Sequence, residues 1–501
     1  MLKRTIVSVL LPLAVALTPV GSTSVGAAAS EPQAAVGATI KNDVFWKDTS
    51  GNPIYSQGGG VLKVGSTYYW YGVKYGGAVS YYNNPGGGKN NNVSFSAITI
   101  YSSTDLANWK FEGNAMTPSD LGGGGWVGRV GVARNPSTGK YVLVSQGNGG
   151  LVFGTSSTPN GHFTYAGTQS NIGGVSTGMS GDQSVFTDDD GKAYLVFSNK
   201  SGRSRLYVSP LRSSDFLQAE AAKNVYNSSS GGREGNIMFK QNGSYYFCSS
   251  DLHGWNASHT YCITSKNIMG PYSAEFVLQG TDADFSHVTQ TGLAFTVTGS
   301  SGSFVMFGGD RWSDFAGNGI GYNDWVPITF DGTKPVFHSL SQWTVDATAG
   351  TWAVGSGNNY VLNPGAEADR VAQNALAGWT TTGGNVNSNK QGGHTGRWAI
   401  AQSSSSAYTA SRYQNIALPN GTYTLSAWVK SSGGQKKATI FAKNFGGSEL
   451  NASISQSIGS WTKVTVPGIT VTNGSIQVGV FSDANAGNWV NVDDFSLTQG
   501  G

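Results

Sequence analysis

Hydrophobic and polar positions alternate with a period of two along most of this chain, which is the pattern of half-buried strands. Between Tyr55 and about Trp343 the alternation recurs in paired runs. An apolar run leads through a Gly/Asn/Asp turn into an aromatic run, as in GGVLKVGSTYYWYG, GVARNPSTGKYVLVSQ, SVFTDDDGKAYLVFS, NIMFKQNGSYYFCSS and LAFTVTGSSGSFVMFGG. Each predicts two strands joined by a hairpin. Several are followed by a third strand and a polar segment, as in ITIYSSTDLANWKFEG, LVFGTSSTPNGHFTY, RLYVSPLRSSDF and YCITSKNIMGPYS. The units are therefore four-stranded, recurring about every 45 to 60 residues, the mark of a β-propeller. We expect an all-β chain that opens with a five-bladed β-propeller over residues 36–350. After Trp343 the passage TVDATAGTWAVGSGNN predicts a boundary near residues 350 to 358. The runs RWAIAQ, TYTLSAWVK, KATIFAK, TKVTVPGITV, SIQVGVF and VNVDDFSL then predict a β-sandwich of jelly-roll type over residues 356–499.

Composition narrows the class. The chain has 501 residues, 72 of them glycine, and is only 12% charged, which suits an exported all-β protein. Residues 1–29 read as a secretory signal, with Lys3 and Arg4 ahead of an apolar run from Ile6 to Val20 and small residues before Ala29. Pro12 and Pro19 break that run, so a membrane span is rejected, and we expect a secreted, extracellular chain without a membrane partner. A net charge of +3 with no Lys/Arg block excludes nucleic acid as a partner. The two cysteines, Cys248 and Cys262, flank one loop of an exported chain and are expected to form a disulfide, the alternative being two reduced, buried thiols. No His/Cys cluster has zinc spacing, so no catalytic metal and no cofactor for catalysis are expected. We expect a monomer.

In a propeller the innermost strands converge on one axis, so residues at their starts can meet. Those starts offer Gln57, Gly128 in VGRVGV, Asp182, Glu234 in GREGNIMF and Gln290. Cleavage of a glycosidic bond needs a protonated carboxylic acid beside the leaving oxygen and a second group that activates water or attacks the sugar. Glu234 would be the acid. Asp182 would raise its pKa by like-charge repulsion. The structural alternatives are a surface Glu234 paired with Arg233, and an Asp182 that caps a turn. Asp188, Asp189 and Asp190 belong to a hairpin turn, and Asp310-Arg311 reads as a buried ion pair rather than a catalytic one. Trp255 is the candidate for stacking on a sugar ring, with Gln57 a further substrate contact. The partner is then a polysaccharide or oligosaccharide.

At these residues the chain resembles glycoside hydrolase family 43, five-bladed propeller enzymes that cleave with inversion, and within it the branch of exo-β-1,3-galactanases. The likeness rests on FWKDTSGNPIYSQGGGVLKVGSTYYWYG, SGDQSVFTDDDGKAYLVFS, the Glu234 unit with Gly254-Trp255, Gln290, GGDRW and Asn323-Asp324-Trp325-Val326-Pro327. The resemblance implies Glu234 as general acid, Asp182 as the residue that tunes it, and Gln290 as the group that holds the attacking water. That branch commonly has His at the position of Gln57 and glutamates at those of Val73 and Gly128. The departures imply either another substrate or a water held by Gln290 with a further group such as Asp284. An α-L-arabinofuranosidase or β-xylosidase of the same family, and a non-catalytic glycan-binding protein, are the alternatives.

The end of the chain resembles jelly-roll carbohydrate-binding modules through Asn363-Pro364-Gly365-Ala366-Glu367, GTYTLSAWVK and VNVDDFSL. Trp379 and Trp489 are candidates for a sugar platform, with Tyr413 a weaker third; each could equally be core. Glu367 and Asp494 could share a structural calcium.

Overall fold

The protein, seen in a computed structural model, is described for residues 37–87, 90–123, 125–312 and 320–500. The expected signal segment lies outside these residues. Each of the five paired runs forms the first hairpin of a four-stranded antiparallel sheet. Their first strands are Gln57–Val64, Val127–Arg134, Ser180–Thr187, Arg233–Gln241 and Gln290–Thr298. Each first strand packs against the first strand of the next sheet, and the fifth packs against the first. This all-β arrangement is consistent with a β-propeller.

One irregularity recurs in all five sheets. The pairing of first and second strands slips once, between Gln57 and Gly60, Gly128 and Val130, Ser180 and Gln183, Glu234 and Ile237, and Thr291 and Leu293. A bulge adds a residue to one strand, increases its twist and re-aims the side chains beside it. The bulge in the fourth sheet depends on Gly235, whose φ is +58°. A Cβ there would come within 2.4 Å of the Thr291 carbonyl oxygen. In the second sheet the corresponding positive φ, 27°, is taken by Arg129.

Aromatic side chains fill the spaces between sheets because they bury the most apolar area per residue. Trp325 stands 4.8 Å from Trp70 and 5.5 Å from Trp109, ring centre to ring centre, joining the fifth sheet to the first. A three-stranded sheet, Ala38–Lys41 with Gln342–Asp346 and Thr351–Val354, ties the two ends of this region together. Strand 351–354 therefore lies inside the passage read as a boundary. Its alternating Trp352 and Val354 are masked in sequence by the glycines and serines around them. A helix, Gly76–Asn83, follows directly on the second strand of the first sheet, Thr67–Tyr75. Cys248 and Cys262 sit directly opposite each other on adjacent strands and are disulfide-bonded.

The rest of the chain forms two five-stranded sheets facing each other over an apolar core that includes Ile400, Leu425, Val429, Ile440, Val478, Val492 and Leu497. It is a β-sandwich.

Trp325 touches three other indoles and is fully buried, so its loss leaves a large cavity. Trp325→Ala should cost about 3–5 kcal/mol and lower the melting transition of the first region in calorimetry, with the sandwich transition little changed.

Candidate active site

The bulges bring one residue from each of several sheets to a common pocket of about 300 Å³. Arg129, Asp182 and Glu234 stand at three of them, and Gln290 opens the first strand of the fifth sheet. Arg203, from the turn after the second strand of the third sheet, completes the charged lining. Tyr75, Trp126, Trp255 and Trp312 form the aromatic walls.

Glu234 is 6% exposed. Its Oε1 accepts a hydrogen bond from Gln290 Nε2 at 2.7 Å, and its Oε2 lies 3.2 Å from Arg203 Nη1. The same Arg203 nitrogen is 2.7 Å from Asp182 Oδ1, so one guanidinium bridges the two carboxyl groups. Asp182 Oδ2 accepts from the Gly235 amide at 3.0 Å and lies 3.3 Å from Arg129 Nε. Burial works against the charge on Asp182, but the Arg129 and Arg203 guanidiniums outweigh it and hold the carboxyl down at about 2. For Glu234 the balance is reversed. Burial and the negative charge of Asp182 push it up to about 7, against the pull of Arg203 and Arg129. The two carboxyl groups thus hold different charge states near neutral pH, one fixed as an anion and one able to give a proton.

Arg129 is the centre of the polar network. It is 6% exposed, and its Nη1 donates to Asp310 Oδ2 and to the Thr291 carbonyl, both at 3.0 Å, while Nη2 donates to Gln290 Oε1 at 2.9 Å. Trp312 Nε1 donates to the same Gln290 oxygen at 3.0 Å. Both donors lack acceptor atoms, so the Gln290 amide can face them only with its oxygen. Its NH₂ must then point to Glu234.

Several expectations are changed by these positions. Gln290 does not stand across the pocket from the acid, free to hold water; it is hydrogen-bonded to Glu234, because Arg129 and Trp312 fix its oxygen on the other side. Gln57 is 1% exposed, with Nε2 3.5 Å from the Arg311 carbonyl, and backs the pocket without lining it. Asp284 lies at a second, larger cavity of about 530 Å³, where it accepts from the His287 amide. Asp310 and Arg311 are adjacent on a strand and so point to opposite faces. Asp310 pairs with Arg129, while Arg311 pairs with Asp43 and Asp324. Arg233 is turned away from Glu234 and pairs with Glu275. Asp188 binds Lys240 and the Tyr245 hydroxyl, a structural role.

In the sandwich, Trp379 is a core residue. It is 7% exposed, its indole N–H donates to the Asn363 carbonyl at 2.9 Å, and its ring packs on Phe495. That leaves no face for a sugar. Trp489 and Tyr413 are half-buried at strand positions and keep part of their surface. Trp255 lines the pocket with its ring 5.3 Å from Trp312.

Sequence reasoning missed Arg129, Arg203, Trp126 and Trp312. Arg129 had a signal, a lone charge inside the otherwise apolar and glycine-rich VGRVGVA run, which a strand buried on both faces would not carry without partners.

Among crystal structures, the chain is similar to an exo-β-1,3-galactanase from Phanerochaete chrysosporium, at 23% identity and a TM-score of 0.57, covering 92% of this chain and all of that one. It is similar in the same degree of coverage to an exo-β-1,3-galactanase from Clostridium thermocellum, at 20% identity and a TM-score of 0.57. At these identities the likeness establishes the fold. A 1,6-alpha-glucosyltransferase of Sporosarcina globispora is 38% identical over 96 residues, 19% of this chain, which spans only 7% of that protein's length. The family model of glycosyl hydrolases family 43 matches residues 51–308, more than half of the chain, and takes in all the pocket side chains except Trp312. The chain belongs to glycosyl hydrolases family 43 and is a glycoside hydrolase.

Proposed function

We propose that the protein is a secreted, inverting, exo-acting hydrolase of β-1,3-galactan or arabinogalactan side chains, in which five propeller blades carry the pocket and the sandwich binds carbohydrate. The observation that carries the reading is Glu234, a buried carboxyl with its pKa pushed up to about 7, beside an ionised Asp182 and among aromatic walls. A pocket of about 300 Å³ suits a single terminal sugar, which favours exo action. The cyclic packing of the five first strands supports the five-bladed reading. The galactan preference leans on the similar galactanases, and export on the Met1 to Ala29 pattern.

In this mechanism Glu234 protonates the leaving glycosidic oxygen. Asp182 keeps the proton on Glu234 until substrate arrives and, through Arg203, fixes the position of its Oε2. Inversion then needs a water on the opposite face of the sugar. Gln290 can hold that water only if its amide leaves Glu234, since its oxygen already accepts from Arg129 and Trp312. The engaged state of Gln290, Asp182 and Asp310 is also what favours the second reading, a glycan-binding protein without turnover.

Release of reducing sugar from β-1,3-galactan, arabinogalactan, arabinan and xylan separates these readings. Activity on a galactan, lowered by Glu234→Gln about 10³-fold or more in kcat, supports the proposal; binding without release supports the second. Proton NMR of the first product should record the α-anomer if a β-linkage is cut with inversion.

Because Glu234 must be protonated to act, activity should fall as pH rises through about 7. Asp182→Asn removes the negative charge that opposes ionisation and leaves two guanidiniums less compensated, so the Glu234 pKa should drop. The alkaline limb of the pH–kcat/KM profile should then move to lower pH, alongside a loss of rate.

A structural calcium in the sandwich remains a proposal, since among the described residues the group of acidic and histidine side chains close enough to share an ion is Asp43, His287 and Asp324, outside it. Glu367, Asp493 and Asp494 gather three carboxyl groups at one end, near the Asn363–Glu367 turn. Gly365 keeps the cradle open, since a Cβ there would come within 2.4 Å of Asp493 Oδ1. Glu367 accepts from the Arg397 and Trp398 amides, Asp493 from the His394 amide and Asp494 from the Thr395 hydroxyl, so calcium, which suits hard oxygen ligands, would bind by taking over some of these carboxyl oxygens. Chelation should therefore lower the sandwich melting transition by several degrees, about 1–3 kcal/mol, with recovery on adding Ca²⁺ and loss of the effect in Asp494→Asn.

A further inference from the structure

Within the loop between the second and third strands of the fourth sheet, residues 252–259, the segment 252–257 reaches the pocket with its tip and the sandwich with its ends. At the tip, Gly254 and Trp255 line the pocket. The Gly254 carbonyl lies 3.5 Å from Gln290 Nε2, the group that donates to Glu234, and the Trp255 ring packs on Trp312. At the ends, one side chain from the sandwich holds both. Arg370 Nη1 and Nη2 donate to Asp251 Oδ2 and Oδ1 at 3.0 and 2.8 Å, and its Nε donates to the Ala257 carbonyl at 2.8 Å. The guanidinium also lies 5.0 Å from the centre of the Phe285 ring.

A planar fork with two bonds to one carboxylate and a third to a backbone carbonyl is a rigid clamp, unlike a lone surface ion pair. Its base is rigid too. The neighbouring Asp369 is 1% exposed and accepts from Asn363 Nδ2 at 2.9 Å and from the Ala377 amide at 3.1 Å. A segment of six residues with Leu252, His253 and Gly254 exposed has little packing of its own to hold its tip.

We propose that Arg370 is a positioning residue of the catalytic pocket: by clamping Asp251 and Ala257 it sets where Trp255 and the Gly254 carbonyl stand. The sandwich is then a structural part of the active site as well as a binding module. This rests on the reading of the pocket given above. Arg370 also acts by charge. Asp251 follows Ser250, which pairs with Glu234 across the two strands, and the Asp251 charge adds to that of Asp182 in disfavouring ionised Glu234. The other charges facing Glu234 are Arg203 from the third sheet and Arg129 from the second, with Asp310 of the fifth behind Arg129; His253 lies 3.8 Å from Asp251, and Arg233 is taken up by Glu275. Arg370 is the group that offsets Asp251.

The test uses the full chain and three variants, Arg370→Ala, Arg370→Lys and Asp251→Asn. Hydrogen exchange of residues 252–257 should quicken about tenfold in Arg370→Ala and Asp251→Asn, with Arg370→Lys between them and the wild type and the strands of the fourth sheet unchanged. On an aryl β-galactoside, KM should rise more than kcat falls. The alkaline limb should move up in Arg370→Ala, where Asp251 is left uncompensated, and down in Asp251→Asn, where the negative charge is gone. Unchanged loop exchange overturns the clamp. A loosened loop with wild-type KM and a pH limb that moves the same way in both variants overturns the positioning role. If the wild-type chain turns over no glycoside, the functional reading fails by itself, and the exchange data still decide the clamp.

Discussion

The centre of the catalytic unit depends on a buried positive charge. Arg129 leaves the first strand of the second sheet at a bulge and meets Asp182 of the third sheet and Asp310, Gln290 and the Thr291 carbonyl of the fifth. A guanidinium out of water is costly unless all its donors find acceptors, and two carboxylates beside each other are costly without a cation. Each of these groups is tolerable only with the others present. The network therefore holds three sheets in one arrangement and leaves few alternatives for the side chains around it.

Gln290 illustrates how far that constraint reaches. An amide has two nearly isosteric ends and could in principle turn either one to Glu234. Two donor-only neighbours remove the choice. Glu234 accordingly receives a donor on one oxygen from Gln290 and on the other from Arg203, while the same Arg203 helps to keep Asp182 ionised. Carboxyl groups of nearly equal intrinsic acidity are separated by their surroundings: burial and the Asp182 charge push Glu234 up, while the two guanidiniums hold Asp182 down.

Much of this was legible along the chain, and the limits have physical causes. The five hairpins are written in period-two alternation and turn chemistry, which are local, so they could be read directly. Glu234 and Asp182, which line the pocket, stand out in sequence because a charged residue at the start of an apolar strand needs an explanation. Their partners were not found, because pairing is decided by which sheets adjoin: Glu234 has Arg233 beside it in sequence, yet adjacent strand residues face opposite ways, and its guanidinium comes from Arg203. The same limit applies to Asp310 and Arg311. Trp379 stayed open between platform and core because an indole in a β-sandwich reads identically whether it covers the core or faces a ligand. The distinction rests on the Asn363 carbonyl that receives its N–H.

The strand Ala38–Lys41 pairs with Gln342–Asp346, with Ala38 opposite Val345, and Asn42 donates to the Trp325 and Leu340 carbonyls. One sheet thus takes its members from opposite ends of the catalytic region. During synthesis, the first of these strands leaves the ribosome long before its partner exists, and it must wait, unpaired, while five sheets emerge in turn. That pairing can form only when translation has passed residue 346, so a nascent chain stopped between residues 311 and 341 carries Glu234, Gln290 and Asp310 without the sheet that ties the two ends together.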